Sequence, residues 1–158
     1  MRVSKKIILS VLAIAILLVA SPALAAVDSR WEGEGKGVCY PPFPTPDIHP
    51  IYAWQDWNGE IKESLDQANL KIFSGDWRDK KGNHGTFKGK VEYISITEAY
   101  CKGTWTWVYE TPAAIRVYKM GNFIMKFHMS TGKCSGEWYI EDEISAEPRG
   151  VMKGYLIK

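Results

Sequence analysis

The chain has 158 residues, 46% of them hydrophobic and 24% charged, with a formal charge of +2. This is ample apolar material for one packed domain, so the composition excludes a disordered chain. The positive balance is confined to the first residues, which removes the electrostatic case for nucleic-acid binding. Arg2, Lys5 and Lys6 supply three of the 20 basic residues, and downstream 17 basic face 18 acidic residues, a balance of −1.

Those first residues read as an export signal. A basic start precedes the apolar run Ile7 to Ala20, Ser21-Pro22 breaks it, and Ala23-Leu24-Ala25 supplies a small-x-small cleavage pattern. The run is short of the roughly 20 residues that span a bilayer. The expected organisation is a cleaved leader over 1–25, a glycine- and proline-rich segment over 26–50, and a β-barrel-like domain over 51–158. A secreted or periplasmic location follows, with no membrane contact after cleavage.

Trp31 to Val38 carries Gly33, Gly35 and Gly37 alternating with charged residues. No apolar strand precedes this string and no helix follows, so it lacks the setting of a phosphate loop and is expected to be a flexible or bulged edge strand. Pro41, Pro42, Pro44, Pro46 and Pro50 then crowd into ten residues. Proline has no amide donor, so this stretch is expected to be an extended connector.

Downstream the pattern is one of short strands separated by turn residues. Ile51 to Trp57 and Glu60 to Leu65 flank Asn58-Gly59, a two-residue hairpin signal; Glu60 to Asn69 would also fit a short helix. Leu70 to Trp77, Gly85 to Thr97 and Gly103 to Glu110 follow. Ile115 to Lys119 and Asn122 to Met129 read as a hairpin about Met120-Gly121, and Cys134 to Glu141 and Gly150 to Ile157 complete the series. Gly-x-aromatic recurs at Gly75-Asp76-Trp77, Gly85-Thr86-Phe87, Gly103-Thr104-Trp105, Gly121-Asn122-Phe123 and Gly136-Glu137-Trp138, taken here as turn punctuation at strand starts. The expected fold is all-β: one antiparallel meander of about eight to ten strands, closed or partly closed into a barrel, with a β-sandwich as the alternative.

Period-two alternation puts Trp105, Trp107 and Tyr109 on one face, and Phe123, Met125, Phe127 and Met129 on another. With Trp138, the aromatics Trp105, Trp107, Tyr109, Phe123 and Phe127 are the candidate lining of a ligand site, with an all-β core as the default reading. Arg116 and His128 are candidate polar anchors beside them. Catalytic signatures are missing: there is no G-x-S-x-G, H-E-x-x-H, P-loop or EF-hand string. Glu141-Asp142-Glu143 reads as a solvated loop entrance, and His49, His84 and His128 lie too far apart in sequence to form a local ligand pair. No catalytic residue, metal or cofactor is expected.

In pattern the chain resembles two families of exported barrels, the lipocalins, with Gly-x-Trp near their first strand, and the avidin-like proteins, with a tryptophan-rich meander. The resemblance implies architecture and no ligand or binding residue. The expected function is non-catalytic binding of a small apolar or aromatic ligand or of an extracellular partner. The alternatives are a carbohydrate-binding sandwich with exposed tryptophans, which would make a glycan the partner, and a small secreted enzyme or enzyme inhibitor. The sequence leaves the oligomeric state open.

Three cysteines in an exported chain invite one disulfide. Counting reversals at Pro112, Gly121 and Gly132 places the strands that start at Cys101 and Cys134 antiparallel, with their first residues at opposite ends. That count disfavours a Cys101–Cys134 bridge and pairs Cys39 with one of the two, Cys101 being preferred as the nearer in sequence; which cysteine stays unpaired is left open.

Overall fold

A computed structural model describes residues 29–43, 49–140 and 148–157. It is an antiparallel meander of eight strands closed into a barrel, with β8 returning to β1. The strands are β1 (Ser29–Gly37), β2 (Asp56–Glu63), β3 (Lys71–Arg78), β4 (His84–Tyr93), β5 (Glu98–Thr111), β6 (Ala114–His128), β7 (Lys133–Trp138) and β8 (Gly150–Ile157). The expected leader, Pro44, Pro46 and the Glu141-Asp142-Glu143 cluster lie outside the described residues.

Closure follows from what the inward faces carry. The strands alternate mainly polar outward residues with inward ones that are mostly glycine or aromatic, joined by a few aliphatic or sulfur side chains such as Ile61, Val91 and Met125. In β4, Gly85, Phe87, Gly89 and Val91 are buried while Thr86, Lys88 and Lys90 are exposed. A glycine two residues from an aromatic shares its face, so Gly-x-aromatic is a feature of strand interiors and not of turns. The register sets glycines against rings: Trp77 faces Gly85, Phe123 faces Gly103, Trp105 faces Gly121 and Trp138 faces Gly150. A narrow eight-stranded barrel cannot hold a large side chain at every inward position, and the glycines make the room.

This corrects several expectations. Asn58-Gly59 is not a hairpin, because Gly59 faces inward within β2 and abuts Phe73 and Phe87. The glycine-rich stretch is not an edge: β1 pairs with β2 on one side and with β8 on the other. Its inward glycines leave room for large rings, Trp57 lying against Gly33 and Trp138 against Gly37.

Met120-Gly121 is not a turn either. β6 runs unbroken through it, with a bulge where Trp105 faces Gly121 but Thr106 faces Lys119, so Met120 is the extra residue. A bulge changes the parity of a strand. Below it Phe123, Met125 and Phe127 point inward, and above it Met120 and Tyr118 take over the buried side.

That single strand also overturns the cysteine argument. Two reversals separate β5 from β7, not three, so both run the same way and Cys101 and Cys134 lie near the same end. They flank β6, where Cys101 faces Met125 and Cys134 faces Phe127. Two inter-strand spacings separate them by roughly 10 Å, beyond the roughly 7 Å a disulfide tolerates between α-carbons. Cys39 sits at the other end, bridged to Ile51, so the expected Cys39–Cys101 bond is not formed. All three cysteines are free and buried.

Burial pushes each thiol up from 9.0 to about 12. Native protein should therefore resist thiol reagents at neutral pH and release three reactive thiols on denaturation; a fast-reacting thiol in the native state would contradict the packing. The folded pKa is raised, so the unfolded chain ionises first as the pH rises. Stability is then fully present below about pH 9 and declines between about 9 and 12. A denaturant midpoint measured across that range should fall less for Cys101→Ala than for wild type.

Candidate functional site

The long connection from β1 to β2 supplies the centre of the barrel. After the Cys39–Ile51 bridge the chain turns inward, and Ala53 and Trp54 are buried. The Trp54 indole stacks on Phe87 at 4.5 Å and lies 5.2 Å from Phe123. Its backbone has φ +62, a left-handed conformation rare for a bulky residue, and its indole N–H has no hydrogen-bond partner. Bringing this ring into the barrel thus carries a local cost that its packing must exceed.

The six predicted ligand-lining aromatics divide into two groups. Trp105, Phe123, Phe127 and Trp138 are all buried in the barrel. Trp105 lies edge-on to Trp77 at 5.8 Å and to Trp138 at 5.3 Å, and its N–H donates to the Tyr139 carbonyl at 3.0 Å. Phe127 contacts Trp31 at 4.8 Å and Phe73 at 5.0 Å. Trp107 and Tyr109 lie beyond the bulge and join Phe43 and Tyr118 instead.

Arg116 and His128 do not share a site. They occupy opposite ends of β6, and His128 lies 3.3 Å from Glu98. Sequence reasoning missed Trp54, whose loop position gives no periodic signal. It also missed Phe43 and Tyr118, the second hidden by the parity change. Trp77 and Phe87 were legible as the aromatics of Gly-x-aromatic triplets.

The second group marks the most distinctive surface. β5 and β6 are 14 and 15 residues long, whereas β7 has six. β7 pairs with β6 only over Phe123–His128. The β5–β6 hairpin therefore continues past β7 as an arm, flanked by β4 as far as Val108 and two-stranded from Tyr109 to the turn at Pro112-Ala113. One face carries Trp107, Tyr109 and Tyr118, with Phe43 packed 4.7 Å from Tyr118. The other face carries Val108, Val117 and Ile115. Val117 is 62% and Ile115 69% exposed, although Val108 faces Val117 across the arm.

The outer wall offers two shallow grooves that share Glu34 and Lys153. One, of about 570 Å³, crosses β6, β7, β8 and β1 over Ile124, Ser135 and Val151; the other, of about 970 Å³, continues past Tyr155 to Asp56 and Arg78. Some of their charges are partnered across strands. Lys153 lies 3.0 Å from Glu34, whose carboxyl it holds below the usual range, and the Tyr155 hydroxyl donates to Glu32 at 2.5 Å. Among the described residues no group of three or more His, Cys, Asp or Glu could hold a metal ion.

The chain matches no protein-family profile, no curated protein and no solved structure. Its fold is the closed eight-stranded meander, with its apolar contacts concentrated inside the barrel and on the arm.

Proposed function

We propose that this is an exported, non-catalytic binding module that engages an extracellular protein partner through the β5–β6 arm. The observation that carries the reading is the pair Ile115 and Val117, large β-branched side chains held in water on a projecting ribbon. Such a cluster contributes nothing to the barrel core and is what an interface buries. Interior binding of a small ligand has less support, because Trp54 packs against both Phe87 and Phe123, which also contact each other, and so helps fill the barrel. The glycan reading loses its platform: each of the seven tryptophans is buried.

The test places a photo-crosslinking residue at position 115 and, as control, at Lys88 on the outer wall of β4. Expressed in its native envelope, the 115 variant should give a discrete higher-mass adduct and the 88 variant none. Equal labelling at both positions, or none at either, would reject the arm as the binding surface.

A further inference from the structure

We infer that the end of the barrel opposite the arm docks on a lipid bilayer, inserting Leu65 from the β2–β3 turn and Ile94 and Ile96 from the β4–β5 turn. The arm plays no part in this contact, since its turn lies at the other end of β5 and β6. The absence of membrane contact expected from sequence concerned a spanning segment, and these tips enter without spanning.

The two turns are neighbours on one rim, because Lys71 faces Val91 where β3 leaves the first turn and β4 approaches the second. Leu65 is fully exposed, Ile96 is 78% and Ile94 63% exposed. Hydrogen bonds hold them there. The Ser64 amide donates to the Leu70 carbonyl at 2.7 Å and closes the first turn; the Ile94 amide donates to the Glu98 carbonyl at 3.0 Å and closes the second. The Ser95 hydroxyl accepts from the amides of Thr97 and Glu98, which leaves fewer bare donors to desolvate when Ile96 enters lipid.

Three observations select a bilayer over a protein. Large aliphatics stand singly on closed turns, which suits insertion among headgroups, whereas a protein interface needs a continuous patch. Charges near the rim are paired: Lys71 lies 3.4 Å from Glu63, Lys90 3.4 Å from Glu92 and Lys126 3.2 Å from Glu98. Attachment should therefore depend on apolar insertion and little on lipid charge or salt. Finally, Ser29 opens β1 on this rim, opposite Ile61 near the end of β2. The expected leader run Ile7 to Ala20 joins it through residues 21–28, a connection that reaches at most about 30 Å. Until it is cut, the leader keeps this end, and not the arm, within that distance of the membrane.

The outer walls limit the depth. Lys88 and Lys90 on β4 and Lys102 on β5 are exposed, the reverse of the apolar band of a barrel that spans. Glu92 stands two residues, roughly 7 Å, behind Ile94, so only the turn tips pass the headgroups. The arm then points away from the bilayer.

Flotation of the mature chain with vesicles of phosphatidylcholine alone should carry protein into the lipid fraction, and equally so with added phosphatidylglycerol or high salt. Leu65→Ser and Ile96→Ser should each lower the partition constant about threefold to tenfold, with unchanged circular dichroism because both side chains stand in solvent. An environment-sensitive dye at position 65 or 96 should shift to the blue with these vesicles, and one at position 88 on the outer wall should not. No flotation with either lipid overturns the proposal, as do serine variants that float like wild type or an equal dye shift at 88. Flotation that requires phosphatidylglycerol and is lost in salt overturns it too. A photo-crosslink from position 96 to a protein, without flotation, gives the rim to a protein partner instead; none of these outcomes touches the reading of the arm.

Discussion

Replacing Trp54 by alanine is expected to destabilise the protein by about 3–5 kcal/mol, the range for truncating a large buried aromatic. The ring stacks on Phe87, touches Phe123 and is fully buried, so its removal leaves a void in the middle of the barrel. The walls of that void are aromatic side chains fixed by strand register, which limits collapse. An enclosed apolar void of this kind binds flat apolar molecules. Millimolar indole should therefore restore part of the lost denaturant midpoint, the gain growing with the logarithm of indole concentration above its dissociation constant.

Backbone strain adds a second signature at this position. Trp54 has φ +62, a conformation that alanine tolerates poorly and glycine freely. Trp54→Gly should accordingly be no less stable than Trp54→Ala, the reverse of the usual order. A loss below about 1 kcal/mol for Trp54→Ala, with no response to indole, would mean that the β1–β2 connection does not plug the barrel.

The second large effect is expected at Gly103. An added Cβ would collide with the Lys88 carbonyl and lie close to the α-carbon of Gly89, both backbone atoms of β4. No rotamer change relieves a clash with a neighbouring strand. Gly103→Ala should therefore cost about 3 kcal/mol, the upper end of ordinary overpacking. It should also disturb the Phe123 ring, which lies opposite Gly103. Gly82 provides the contrast, since nothing lies within 4 Å of its added Cβ and only its φ of +90 resists substitution. Gly82→Ala should cost about 1 kcal/mol. Chemical denaturation of the two variants side by side tests the claim, and a Gly103→Ala as mild as Gly82→Ala would contradict the close approach of β4 and β5.

The sequence by itself determined the class of fold and the faces of most strands. Period-two alternation in Trp105 to Tyr109 and in Phe123 to Phe127 depends only on the pleat, so inward and outward sets were readable wherever a strand stayed regular. The last strand, Gly150 to Ile157, was bounded as the structure has it. Tertiary structure decided what lies opposite what. Gly-x-aromatic looks the same in a turn and in a strand interior, and only cross-strand register shows that each glycine makes room for a ring on a neighbouring strand. The bulge at Met120 was illegible because one extra residue changes parity without changing composition, and the cysteine argument failed with it. Trp54 and Phe43 had no local signal, since the position of a loop ring is set by the space the strands leave for it. The arm followed from unequal strand lengths, because β5 and β6 continue where β7 stops. Pairing partners lie far apart in sequence and are chosen by packing, so local pattern specifies each strand's faces while the closed barrel specifies its neighbours.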